Sequence, residues 1–128
     1  MPANEPEILS YIDEIIEATN KDTIEWKRAN PTTYIWSVIE PGGSVHPTAK
    51  VIVQRVRKTS FIDELGRPKV TAVEHYIFQA LDASAVTKLS ITGDDSRQIN
   101  AKLGILYNAI ADSMARKGLD FLKTILPK

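Results

Sequence analysis

The chain has 128 residues, 43% hydrophobic and 25% charged, with sixteen basic side chains, sixteen acidic ones and no cysteine. That length suits one domain that buries a core without covalent staples, and the composition excludes a disordered, collagen-like or disulfide-built chain. Zero net charge excludes a whole-molecule field drawing the protein onto nucleic acid or an anionic membrane, and the lack of cysteine excludes thiolate metal sites and thiol nucleophiles.

The opening MPANEPEILSYIDEII has neither the basic nor the apolar region of a secretory signal, and no run approaches the ~18 apolar residues of a spanning helix. A soluble, cytoplasmic protein with no membrane partner is expected. From Glu7 to Thr19 the spacing of Ile8, Leu9, Ile12, Ile15 and Ile16 predicts an amphipathic helix with an acidic outer face. Asn4 is its candidate N-cap, Pro6 fits the first turn, and Thr19 to Asp22 form a polar stop.

The period then changes to two. Ile24, Trp26 and Arg28, then Tyr34, Trp36 and Val38, alternate on either side of Asn30-Pro31-Thr32 and predict a hairpin over 23–29 and 33–39. A register centred on Pro31 sets Trp26 opposite Trp36 and Arg28 opposite Tyr34, with a cation–π contact in reach of the second pair. Pro41-Gly42-Gly43-Ser44 and His46-Pro47 are loop residues. The next strand, 48–58, is apolar at Val51 to Val53 and polar from Gln54 onward, so its second half runs out toward solvent.

TSFIDELGRP, Thr59 to Pro68, is predicted as a loop, with Phe61, Ile62 and Leu65 too apolar for a purely solvated tip. Strands at 69–81 and 86–92 follow around a turn at Asp82 to Ala85. Both faces of the first are apolar from Tyr76 to Leu81, which predicts helices covering the sheet above and below. A helix over 95–117 is predicted from Ile99, Leu103, Leu106, Tyr107, Ile110 and Met114, capped by Asp95 or a neighbour and stopped at Gly118, with a short helix at 119–126. The fold class is α+β: one domain with an N-terminal helix, an antiparallel sheet of four to five strands and C-terminal helices.

The segments EATN, IEWKR, HYIFQALD, AVTKLSITGDD and LGILYNAI together resemble small uncharacterised bacterial and phage-associated α+β proteins, in which a tryptophan strand follows the first helix and a Leu-Tyr pair marks the last. The segment from Pro41 to Pro68 is longer than that pattern. The resemblance implies a fold and carries no activity.

No motif fixes a reaction. His46 and His75 stand apart, without ligand spacing; Asp63, Asp82, Asp94 and Asp95 read as turn and cap residues before they read as a magnesium site; Gly42-Gly43-Ser44 lacks the Lys-Ser/Thr of a phosphate loop. Neither cofactor nor metal is expected. The favoured reading is a protein-interaction or assembly module without catalytic activity, binding a protein partner or a second copy through Phe61, Ile62 and Leu65 and the last amphipathic segment. An alternative is nucleic-acid binding, with Arg55, Arg57, Lys58, Arg67 and Lys69 as a basic hairpin and Trp26, Tyr34 and Trp36 as a stacking surface. A third is a ligand-binding or enzymatic pocket between sheet and helix near Tyr76 or Tyr107.

Overall fold

The computed structural model describes residues 4–39, 48–62 and 64–127, without the side chains at 60, 62 and 69–72. The elements run α1 (Glu5–Asn20), β1 (Trp26–Asn30), β2 (Thr33–Val38), β3 (Ala49–Ile62), β4 (Pro68–Asp82), β5 (Thr87–Thr92), a 3-10 turn (Gly93–Asp95) and α2 (Arg97–Ile125). The strands form one antiparallel sheet in sequence order, each paired with the next. The α+β class is therefore the one read from the sequence. The predicted pairs Trp26↔Trp36 and Arg28↔Tyr34 are both present.

Several boundaries differ from the periodicity. β1 begins at Trp26 because Thr23 folds back, its N–H and its hydroxyl both donating to Ala18 O, and this closes the end of α1 before the strand starts. β3 runs on to Ile62, so Phe61 and Ile62 lie on a strand end; the turn that follows carries Gly66 at φ +79, a conformation glycine adopts without steric cost. The two predicted C-terminal helices are one. Gly118 stops a helix only by turning left-handed, and it does not take a positive φ; inside a helix it costs only about 1 kcal/mol relative to alanine.

Pairing across the sheet sorts its side chains into two faces. Trp26, Trp36, Val51, Ala80 and Leu89 form one transverse row, with Arg28, Tyr34, Val53, Phe78 and Ile91 beside it on the same face. This face supplies the sheet's share of the core, against Ile12 of α1 and the fully buried Ile99, Leu103, Leu106 and Ile110 of α2. Both helices thus lie on one side of the sheet, and the expectation of covers on both faces is corrected. Alternation on β4 reports that Ile77 and Leu81 are apolar, but both are half-buried on the opposite face beside Ile35 and Ile52 and outside the core cluster.

The two helices run parallel, as three contacts in matching order require: Ser96 donates to Glu5, Lys102 pairs with Asp13 at 2.8 Å, and Ser113 donates to Asp22 at 2.7 Å. Ser96, rather than Asp95, caps α2 by accepting from Ile99 N at 3.3 Å. Glu5 is buried at the first turn of α1 and bonded to the cap of α2, so the positive ends of both helix dipoles face one carboxylate.

Where β5 ends, α2 takes over the edge of β4. Asn100 Oδ1 accepts from Tyr76 N at 3.0 Å and its Nδ2 donates to Glu74 O at 3.3 Å, so one side-chain amide stands in for the missing peptide of a neighbouring strand. Gly93 leaves the space this requires, since a Cβ there would overlap the Asn100 side chain. Asn100→Ala is expected to lower stability by about 1–2 kcal/mol, because it strands two partly buried backbone groups. Urea unfolding is the measurement; a midpoint equal to that of the unaltered protein would refute the strand-mimic role.

Candidate interaction surfaces

The aromatic residues assigned to a stacking surface are mostly core. Trp26 is buried and donates from Nε1 to Thr19 Oγ1 at 3.1 Å; Tyr34 is buried against Tyr107, ring centroids 5.0 Å apart; only Trp36, 6.0 Å from Trp26, is half-exposed. Neither buried ring presents a face to a base. Tyr107 also packs on Tyr76 at 5.5 Å, so rings fill the space between sheet and helix proposed as a pocket. Burial pushes the phenols of Tyr34 and Tyr76 up and keeps them neutral.

The basic hairpin is engaged with its own protein. Arg55 lies over the Tyr107 ring at 5.3 Å, Arg57 pairs with Glu74 at 3.2 Å, and Lys58 stands 4.0 Å from Asp94. Arg28, expected over Tyr34, donates instead to Pro31 O at 2.9 Å. Arg67 is exposed in the turn, and the Lys69 and Ile62 side chains, like His46 and Asp63, lie outside the described residues. Phe61 and Leu65 are exposed at the hairpin's far end, 67% and 75%.

The carboxylates weighed as a metal cluster are not together. Asp82 accepts from Ser84 N and Val86 N in the turn before β5, while Asp94 sits past the other end of that strand, 3.6 Å from His75 Nε2. Among the described residues no three His, Asp or Glu side chains converge as a metal site, and no helix is long and apolar enough to cross a membrane.

Five of the exposed large apolar side chains among the described residues cluster at the far end of α2. Its 29 residues span about 43 Å, well beyond the 16 residues of α1 beside it. Leu119, Phe121, Leu122, Ile125 and Leu126 are each 46–63% exposed. At 100° per residue, Leu119, Leu122 and Leu126 lie about 160° around the helix from the buried stripe Ile99, Leu103, Leu106 and Ile110. They face away from the core and cannot be an extension of it.

The root of this overhang is clamped. Asp22, at φ +59 in the α1–β1 loop, accepts from Ser113 Oγ and, in a two-toothed pair, from Arg116 Nη2 at 2.8 Å and Nε at 3.2 Å; Lys117 Nζ donates to Ile24 O at 3.0 Å. The Arg116 and Ser113 bonds hold the Asp22 carboxyl at about 2, below its ordinary 3.8. Sequence reading marked Asp22 only as part of a polar stop, because partners more than ninety residues away leave no local signal.

Reading along the chain also missed a groove on the flank of α1. Tyr11, Ile15 and Ala18 face Ile24 and Trp36 across a depression of about 520 Å³, with the exposed Glu14 beside it. A second depression of about 360 Å³ shares Glu14 and Ala18 and continues to Glu17 and Lys21. Its only local trace is that Tyr11 and Ala18 widen the apolar arc of α1 beyond the stripe centred on Ile12.

No family model, curated protein or solved structure matches this chain.

The clamp has a pH signature. With its folded-state pKa depressed, Asp22 contributes stability that is complete above about pH 4 and lost as pH falls toward 2. Asp22→Asn keeps a residue that tolerates the left-handed backbone and removes the charge. The gap in melting temperature between the unaltered protein and this variant should be largest near neutral pH and close below pH 4; a gap unchanged down to pH 2 would refute the assignment.

Proposed function

We propose that this chain is a protein-interaction module without catalytic activity that assembles through the overhanging end of α2, with the tip of the β3–β4 hairpin as a second contact surface. The observation that carries the reading is the exposure of five large apolar side chains between Leu119 and Leu126 on a helix clamped at its root by Asp22. A rigid amphipathic helix with anchors at i, i+3 and i+7 is the form in which one protein lays a helix on another. A contiguous exposed apolar surface of this kind marks an interaction site, and clamping reduces the ordering cost of binding. The hairpin tip, with Phe61 and Leu65 exposed and Ile62 beside them in sequence, has the same character on a smaller scale. The nucleic-acid reading has less support, because Arg55, Arg57 and Lys58 already have partners and Trp26 and Tyr34 are buried.

Sedimentation of the purified protein over a range of concentrations tests this. The unaltered chain is expected to self-associate, and Leu122→Asp with Ile125→Asp to leave the circular dichroism spectrum intact while weakening association about tenfold or more. Equal association by the variant would remove the helix end from the interface.

A further inference from the structure

The proposed module needs a surface to receive its helix, and the fold provides an apolar groove with an acidic flank. We infer that the end of α2 in one copy docks into the groove between α1 and the β1–β2 end of the sheet in a second copy. This inference rests on the assembly reading above and names its partner.

Charge segregation within a neutral chain is the first argument. α1 carries five acidic residues, Glu5, Glu7, Asp13, Glu14 and Glu17, and no basic one, whereas residues 116–128 carry four basic residues, Arg116, Lys117, Lys123 and Lys128, against Asp120. Glu14 and Glu17 thus make the groove flank acidic, with Lys21 paired to Glu17, and beyond the Arg116–Asp22 clamp the segment 117–128 is positive by two. Glu14 and Glu17 border the depressions on α1, and the exposed Lys123 lies about 60° around the helix from Leu126. The bonds these ions make at home are weak, since Glu17–Lys21 and Lys123–Asp120 are exposed pairs on their own helices. Like-charged flanks would oppose α1 meeting α1 or overhang meeting overhang, so the unlike pairing is favoured for both steering and register.

Geometry supplies the second argument. The groove is apolar along Ile15, Ala18, Ile24 and Trp36, and the overhang offers it the i, i+3, i+7 row Leu119, Leu122, Leu126. A chain cannot fill its own groove. Asp13, which meets Lys102 of α2, and the groove residues lie on different sides of α1, and the overhang continues the axis of α2 past the end of α1. Two copies about a twofold axis satisfy each other reciprocally, giving two equivalent helix-in-groove contacts and a closed assembly.

The test uses two full-length variants altered at exposed positions. Tyr11→Lys with Glu14→Lys reverses the charge of the groove, and Leu122→Asp with Ile125→Asp spoils the overhang. By sedimentation each alone should dimerise about tenfold or more weakly than the unaltered protein, while an equimolar mixture, which keeps one sound overhang and one sound groove, should associate about tenfold more tightly than either alone. Circular dichroism confirms that each is folded, and Glu14→Lys by itself is the milder groove variant should the double one not fold. A groove variant that dimerises as tightly as the unaltered chain overturns the docking site and leaves the assembly reading standing, as does a mixture that gains nothing. An unaltered chain that stays monomeric to about 100 μM overturns both.

Discussion

The contact on which the rest of the molecule depends is the fully buried stripe of α2, Ile99, Leu103, Leu106 and Ile110, lying on the Val53–Phe78–Ile91 row of the sheet with Ile12 of α1 beside it. Each such side chain contributes roughly 1.5–3 kcal/mol on leaving water, so four of them rival the whole net stability of an ordinary domain. Among the described residues the sheet has no other helical cover. An antiparallel meander tolerates this, since one solvated face suits mixed positions such as Gln54, Gln79, Ser90 and Thr92.

Packing everything on one side leaves polar work at the ends of the helix pair, and three buried or half-buried devices perform it. Glu5 and Ser96 join the two helix starts, Asn100 completes the edge of β4, and Asp22 gathers Ser113 and Arg116 where α1 finishes. The last also decides how α2 leaves the body. Helical hydrogen bonding continues through Gly118, so a clamped root projects a helical, apolar overhang rather than a loose tail.

A formal charge of zero conceals a strong separation of sign. Three basic residues of the β3–β4 hairpin are answered locally, by a ring at Arg55 and by carboxylates at Arg57 and Lys58. α1 and the end of α2 are answered only in part, by Asp13–Lys102, Glu17–Lys21 and Lys123–Asp120, and in sequence the first stays net negative and the second net positive. The groove flank of α1 and the overhang of α2 do not meet within one molecule, and unlike charges can meet between two.

Much of the fold was legible along the chain. Apolar spacing located α1 and the buried stripe of α2, and alternation about Pro31 set Trp26 against Trp36, because local periodicity records which face of an element must avoid water. The same pattern is silent about what does the covering. It reported apolar residues on both faces of β4 but not that both helices occupy one side, and it treated Gly118 as a stop although only the conformation glycine takes ends a helix. Asp22 with Ser113 and Arg116, Asn100 with Glu74 and Tyr76, and the groove between α1 and Trp36 join residues that are distant in sequence and polar or singly apolar. Such contacts have no period, and they exist only once burial of the stripes has brought the elements together.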